Sequence, residues 1–139
     1  MEVPRHWRTQ KARYALEGTV CQRCGEISFP PRDLCPRCGS GEVAPRRLSG
    51  RGEIYSHSTV FQGPNGFAEY VPYLVALVRL AEGPLVAAQL TDVEPGAVTI
   101  GMPVEMVTRR LRSDGDERGL LVYGYKFRPQ LSRLAAAAD

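Results

Sequence analysis

The sequence predicts a mostly β protein: a short N-terminal helix, a small metal-clamped ribbon and a five-stranded barrel. Three observations lead there. Two identical C-x-x-C-G turns lie ten residues apart, 14 glycines and 11 prolines punctuate 139 residues, and five strand-like segments follow one another between residues 53 and 127. So much Gly and Pro argues against a helical bundle. A hydrophobic content of 43% with 24% charged residues belongs to a folded chain of about one domain. No run of 18 apolar residues occurs, and the basic start MEVPRHWRTQKARY lacks the apolar stretch of a secretory signal. A cytoplasmic chain with no membrane partner is expected.

Taken in order, residues 3–16 predict a short helix after Pro4, with Trp7, Lys11 and Tyr14 along one side and Gly18 ending it. Its apolar face is thin, so it must dock on something. The cysteine turns follow as CQRCG at 21–25 and CPRCG at 35–39. Between them Ile27 and Phe29 look like a strand, and Pro30-Pro31 forces an extended connection before Arg32. The segment 46–53, RRLSGRGE, reads as a module boundary. The organisation is then an N-terminal helix (1–20), a ribbon (21–48), a barrel (49–129) and a tail (130–139) expected to fray.

The barrel strands are 53–61, 73–81, 85–90, 103–111 and 120–127. The one gap able to hold a helical turn lies between the third and fourth, which is the order of an OB-type Greek-key barrel. There Glu94-Pro95-Gly96 leaves room for about one turn. Gly124, among β-formers, marks a bend where a small barrel strand coils.

The cysteines carry the clearest chemistry. A C-x-x-C turn can present two sulfurs to one ion, and the following Gly25 or Gly39 can take a positive φ while backbone amides approach the sulfurs. Two such turns supply four thiolates to one structural metal, Cys21, Cys24, Cys35 and Cys38. That metal substitutes for a core that some 30 residues cannot build. Zinc is expected, with iron as the alternative because rubredoxin-type knuckles share the spacing. Two disulfides or a redox pair would be the other use of four cysteines, but a thioredoxin-like motif needs a βαβ pattern that is missing here. With every coordination position filled by protein, the site is structural.

Charge adds little to a nucleic-acid reading. The formal net charge is +3, and a four-thiolate zinc would lower it to about +1. Residues 1–50 hold nine of the 18 basic side chains against five acids, whereas 51–128 hold eight against nine. A basic first third on a balanced body suits a localised anionic partner rather than a long polyanion. No catalytic residues are predicted. Ser56, His57, Ser58 and Asp92 could be drawn as a triad, but adjacent strand residues point to opposite faces and no nucleophile elbow is present. Asp114, Asp116 and Glu117 sit in a polar turn, where solvation explains them.

Two strands look apolar on both sides. In 73–81, Leu74, Ala76, Val78 and Leu80 alternate with Tyr73, Val75 and Leu77; in the last strand Leu121, Tyr123, Tyr125 and Phe127 alternate with Leu120, Val122 and Gly124. Such strands need a cover, the ribbon or another protein. The 62–72 loop offers Phe67 and Tyr70, either outward or folded back.

In this order the pieces VPRHWR, CQRCGEISFPPRDLCPRCG, SGRGEIYSHSTV, PYLVALVRLAEG, GMPVEMVTRRL and GLLVYGYKFRP resemble the acyl-CoA-associated zinc-ribbon/OB-fold family, long catalogued as a domain of unknown function. The resemblance covers roughly residues 3–129. It implies a rubredoxin-like zinc ribbon, an OB barrel and a non-catalytic partner of thiolase-fold enzymes. The start VPRHWR and end VYGYKFRP are similar to the branch that joins acetoacetyl-CoA thiolase to 3-hydroxy-3-methylglutaryl-CoA synthase in the mevalonate pathway. Other members assist sterol side-chain aldolases and hydratases. The family's metal ligands fall on Cys21, Cys24, Cys35 and Cys38.

If a CoA thioester is shared in such a complex, its phosphates call for cations beside a flat apolar surface. Phe29, Pro31 and Arg32 combine these, as do Tyr125, Lys126, Phe127 and Arg128; Phe67 and Tyr70 are further candidates for CoA or partner contact. In the alternative, Phe29 and Phe127 join ribbon to barrel and the cations solvate the junction. A scaffold for a thiolase-type enzyme is the favoured function, and a nucleic-acid-binding ribbon and barrel the competing one.

Overall fold

The computed structural model describes residues 3–114 and 119–131. Asp116 and Glu117 of the expected polar turn, the side chain of Asp114 and the tail from 132 onward lie outside the described residues. Two six-residue helices, α1 (Val3–Arg8) and α2 (Gln10–Ala15), open the chain in place of the single helix expected over 3–16. The break falls at Thr9, whose φ of −100° and ψ of 8° leave the helical region. Its hydroxyl donates back to the Arg5 carbonyl at 3.1 Å, offering the backbone a local alternative to continued helix.

The helical segment ends at Leu16 rather than Gly18. Leu16 takes a left-handed conformation, φ 52°, and is fully buried. That conformation costs about 1–2 kcal/mol for a residue with a Cβ, and burying a leucine side chain returns about 1.5–3 kcal/mol. Its carbonyl also accepts the Leu48 N–H at 3.1 Å. Gly18 belongs to the next strand, where a Cβ would strike the Ser28 carbonyl oxygen.

The first sheet is three-stranded, ordered β2-β1-β3, with β1 at Glu17–Cys21, β2 at Ile27–Ser28 and β3 at Val43–Arg47. All pairings are antiparallel, with Thr19 opposite Ser28 on one side and Pro45 on the other. The expected boundary at 46–53 shrinks to Leu48, Ser49 and Gly50, because β3 runs to Arg47 and the next strand starts at Arg51. It is no loose linker. Leu48 is buried in the main core, and Glu82 accepts hydrogen bonds from the Ser49 N–H at 2.6 Å and hydroxyl at 3.0 Å.

The second sheet holds β4 (Arg51–Val60), β5 (Tyr73–Leu80), β6 (Leu85–Gln89), β7 (Pro103–Asp114) and β8 (Leu120–Pro129), ordered β6-β5-β4-β7-β8. A parallel bridge from Leu90 to Phe127, with the Thr91 N–H donating to the Phe127 carbonyl at 2.9 Å, brings the ends of β6 and β8 together. The result is a nearly closed five-stranded antiparallel barrel of OB type. A single 3-10 turn, Pro95–Ala97, fills the gap before β7. Inside lie Ile54, Leu74, Ala76, Val78, Leu80, Val86, Leu90, Val98, Val104 and Phe127, and Leu16 and Leu48 from the first module join the same cluster.

On β8 the residues expected on one face are not buried alike. Leu121 and Tyr123 are exposed, Val122 and Gly124 are buried, and then Phe127 is fully buried, so burial changes sides between 124 and 127. β8 itself pairs without a skipped residue; the extra residue is Leu111 on β7, where the register shifts between Arg110 and Arg112, and its side chain lies over Gly124. A Cβ at Gly124 would lie 2.7 Å from a Leu111 methyl, so a larger residue there would have to push that side chain aside.

Gly18→Ala should therefore lower stability by about 1–3 kcal/mol, the usual cost of overpacking. Gly96→Ala, which meets nothing within 4 Å, should change it little. Denaturant melts of the two variants against the parent check both.

Candidate metal centre and apolar junction

Each cysteine turn is built by the same pair of backbone bonds. The Gly25 N–H donates to the Cys21 carbonyl and the Gly39 N–H to the Cys35 carbonyl, both at 2.9 Å. The Cys21 N–H donates to Glu26 at 2.8 Å and the Cys35 N–H to Ser40 at 2.9 Å. Gly25 and Gly39 close the turns at φ 76° and 72°, conformations that a side chain would strain. Strand β1 delivers Cys21 at its end, and the turns bring Cys24, Cys35 and Cys38 to it. The four sulfurs lie within 4.8 Å of one another, with Cys21 and Cys38 3.6 Å apart and Cys24 and Cys35 3.5 Å apart.

The donor set fits structural zinc. A tetrahedron of thiolates at the usual zinc–sulfur distance has edges of about 3.8 Å, close to the two shortest sulfur separations. None of the four is in a disulfide. Backbone N–H groups already favour thiolate at two positions. The Cys24 N–H, with help from that of Arg23, draws the Cys21 thiol down to about 7, against the opposing effect of burial. The Cys38 and Arg37 N–H groups likewise lower Cys35. At Cys24 the Glu26 N–H lowers the thiol, but burial and the three neighbouring sulfurs outweigh it and push it up to about 12. Four crowded sulfurs resist full ionisation unless a cation shares the site. Such an ion would meet four protein ligands and leave no open position for substrate chemistry.

The two segments expected to offer cations beside apolar surface meet at the seam between ribbon and barrel. The Phe29 ring packs edge-on against Tyr125 at 5.7 Å, and Tyr125 in turn against Phe127 at 6.3 Å. Phe127 is 0% exposed. Its ring is core, so it offers no surface to a ligand, contrary to its place among the sequence candidates. Tyr125 is half-buried, donates to the Ala87 carbonyl at 3.4 Å, and titrates above an ordinary tyrosine because of that burial. Pro31 and Arg32 remain exposed beside Phe29, with the Arg32 N–H on the Thr19 hydroxyl at 3.4 Å.

Lys126 is half-buried, and its ammonium is pushed below the usual lysine value by burial and then by Arg109. Arg128 donates to Glu105 at 3.1 Å and lies 3.9 Å from Asp92. Asp92 also pairs with Arg109 at 3.4 Å, so it serves this ion network and not a triad with His57. His57 is exposed on β4, beside a small hollow with Ser56, Ser58 and Leu77 whose lining includes no carboxylate. Phe67 folds back, its ring 6.2 Å from both Tyr70 and Tyr73.

Residues 8–44 match the model of the ChsH2 rubredoxin-like zinc ribbon domain, and residues 45–109 that of the ChsH2 C-terminal OB-fold domain. A DUF35 domain-containing scaffold protein of Pyrococcus furiosus is 50% identical over 93% of this chain and 93% of its own length. The chain belongs to the ChsH2/DUF35 zinc-ribbon and OB-fold family. Within that family it is also similar to the benzoylsuccinyl-CoA thiolase subunit BbsA of Thauera aromatica, 34% identical over 81% of this chain and 75% of the other. Among solved structures, a chain of the Ltp2-ChsH2(DUF35) aldolase superposes with a TM-score of 0.67 at 30% identity, covering 88% of this chain and 89% of that one.

One surface of this DUF35 chain was not singled out from sequence. Trp7 was expected to help dock the helix, yet it is 70% exposed, while Leu16 does the anchoring. Trp7 instead walls a cavity of about 290 Å³ with Tyr14, Leu121 and Tyr123. Alternation placed Leu121 and Tyr123 on one face, but only the coiling of β8 sends that end outward. Among the described residues no helix is long and apolar enough to cross a membrane.

Elemental analysis of the purified chain should give one zinc per chain. Cys35→Ser, or stripping with a strong chelator, should unfold residues 17–47 while far-UV signals of the barrel persist. A metal-free preparation with the same near-UV spectrum and melting behaviour would contradict the assignment.

Proposed function

We propose that this chain is a non-catalytic scaffold subunit that holds a thiolase-fold enzyme, with acetoacetyl-CoA thiolase and 3-hydroxy-3-methylglutaryl-CoA synthase of the mevalonate pathway as its partners, and that it supports an acyl-CoA passing between them in the cytoplasm. The observation carrying this reading is near full-length identity of 50% to a protein named as a scaffold. The thiolase subunit BbsA supports the enzyme class. The chemistry is compatible: four protein thiolates around one ion would leave no open position for substrate. Metal-bound thiolates also suit a reducing compartment.

The CoA part of the proposal rests on the seam. There the Phe29–Tyr125 contact leaves Arg32 exposed beside an aromatic pair, a cation next to a flat apolar surface, with Lys126 following on β8. An accessory role in a sterol side-chain aldolase or hydratase is the second reading, favoured by the likeness to the Ltp2-ChsH2(DUF35) aldolase. A nucleic-acid module fits less well, because the barrel segment carries eight basic residues against nine acids.

Co-expression with the source organism's thiolase and synthase should give one complex on size exclusion, and the isolated chain should not turn over acetoacetyl-CoA. Separate elution at micromolar concentration, or turnover abolished by His57→Ala, would defeat the reading. Arg32→Ala should melt close to the parent, since an exposed charge contributes little, and Lys126→Ala should not lower stability through lost charge, because burial already disfavours that ammonium. In the complex each should weaken CoA binding by about 1–3 kcal/mol if it touches a phosphate. Calorimetric titration of CoA into the assembled variants measures this, and unchanged affinity in both would confine the seam to structure.

A further inference from the structure

The exposed apolar side chains are unevenly spread. Val3, Trp7, Tyr14, Leu120, Leu121 and Tyr123, six of the 13 large apolar side chains that are exposed among the described residues, gather where the two helices cross the start of β8. They border a notch of about 290 Å³, enough for one large side chain with room to spare. Inside it Arg13 is held in place, its guanidinium donating to His6 Nδ1 at 2.6 Å. Contiguous apolar surface of this kind, ringed by polar groups, marks an interaction site more often than free surface.

The rim is nearly one-signed. Residues 3–16 carry Arg5, Arg8, Lys11 and Arg13 and no Asp or Glu. On β7 the exposed Arg110 stands in register with Tyr123. A partner must therefore bring an apolar projection with negative charge around it.

Resting on the scaffold reading above, we infer that this notch seats an apolar side chain framed by Asp and Glu on the surface of the partner thiolase. A protein fits better than a membrane. An interfacial helix needs a long continuous apolar face, whereas this face is shared between two six-residue helices, broken at Thr9, and a strand. The concavity suits an anchor residue, as interface hot spots do. Single-stranded nucleic acid would need the cations to continue as a track, and the balanced charge of the barrel does not supply one.

Trp7 is the chain's only tryptophan, so it reports on the notch directly. The full chain labelled with 5-fluorotryptophan gives a single fluorine resonance, which is titrated with the unlabelled thiolase of the source organism. The line should shift or broaden on complex formation. Trp7→Ala should weaken binding at least about 10-fold. The double reversal Arg8→Glu with Lys11→Glu should weaken it at low salt, by less in 0.5 M salt. Ile100→Ala, an exposed apolar change elsewhere, should bind as the parent. All variants are checked by melting.

A complex that forms with the resonance unmoved and Trp7→Ala binding normally would overturn this inference and leave the scaffold reading standing. A resonance moved by phosphatidylglycerol vesicles or a 20-nucleotide single-stranded RNA, but not by thiolase, would overturn it in favour of that other partner. No complex at all would remove both.

Discussion

Everything in this structure is organised around Phe127. Its carbonyl accepts the Thr91 N–H and its bridge to Leu90 draws β6 against β8, so the barrel closes at this residue. Its ring is among the largest fully buried side chains and fills the interior that closure creates. Two positions earlier on the same strand, Tyr125 carries the contact outward to Phe29 of the ribbon. Barrel closure, core packing and ribbon docking are thus three consequences of one short stretch of β8. The strand can do all three because it coils at Gly124, under the bulge of Leu111.

The ribbon solves a different problem. Residues 17–47 have three short strands and little that is large and apolar to bury between them, so four thiolates around a metal take the place of a core. What apolar material the module has is lent to the barrel instead. Leu16 and Leu48 at its two ends enter the main cluster, and Ile27 and Phe29 pack against it. The ribbon is therefore fixed to the barrel at both ends and at its middle, and surface residues on the two modules hold a constant relation. A scaffold needs that rigidity more than it needs a reactive group.

The same economy explains what stays outside. The helical segment is anchored through Leu16 and by the Thr108 hydroxyl donating to the Tyr14 carbonyl at 3.1 Å. Once these contacts are made, the rest of the segment has no further surface to cover, and Trp7 is left outward. An apolar surface without a use in folding is a cost in water, and an assembling protein recovers that cost when its partner covers it.

Much of the fold was legible in the sequence. The five barrel strands follow from alternation bounded by turns, and the four cysteines from spacing alone, because both signals are local: a strand period of two residues and a tetrahedron whose ligands lie close along the chain. The single turn before β7 was legible for the same reason. What the sequence could not decide is which stretch of a strand's face is covered. Leu121, Tyr123 and Phe127 share one alternation of β8, yet Phe127 is fully buried and the other two are exposed, and no pattern in 120–127 foretells it because the cover comes from elements distant in sequence. Nor could it show that Leu16 rather than Trp7 anchors the helices, since that depends on a left-handed backbone turn stabilised only by a core assembled from distant residues. Local periodicity fixed the elements; long-range packing chose their faces, and with them the surface left for a partner.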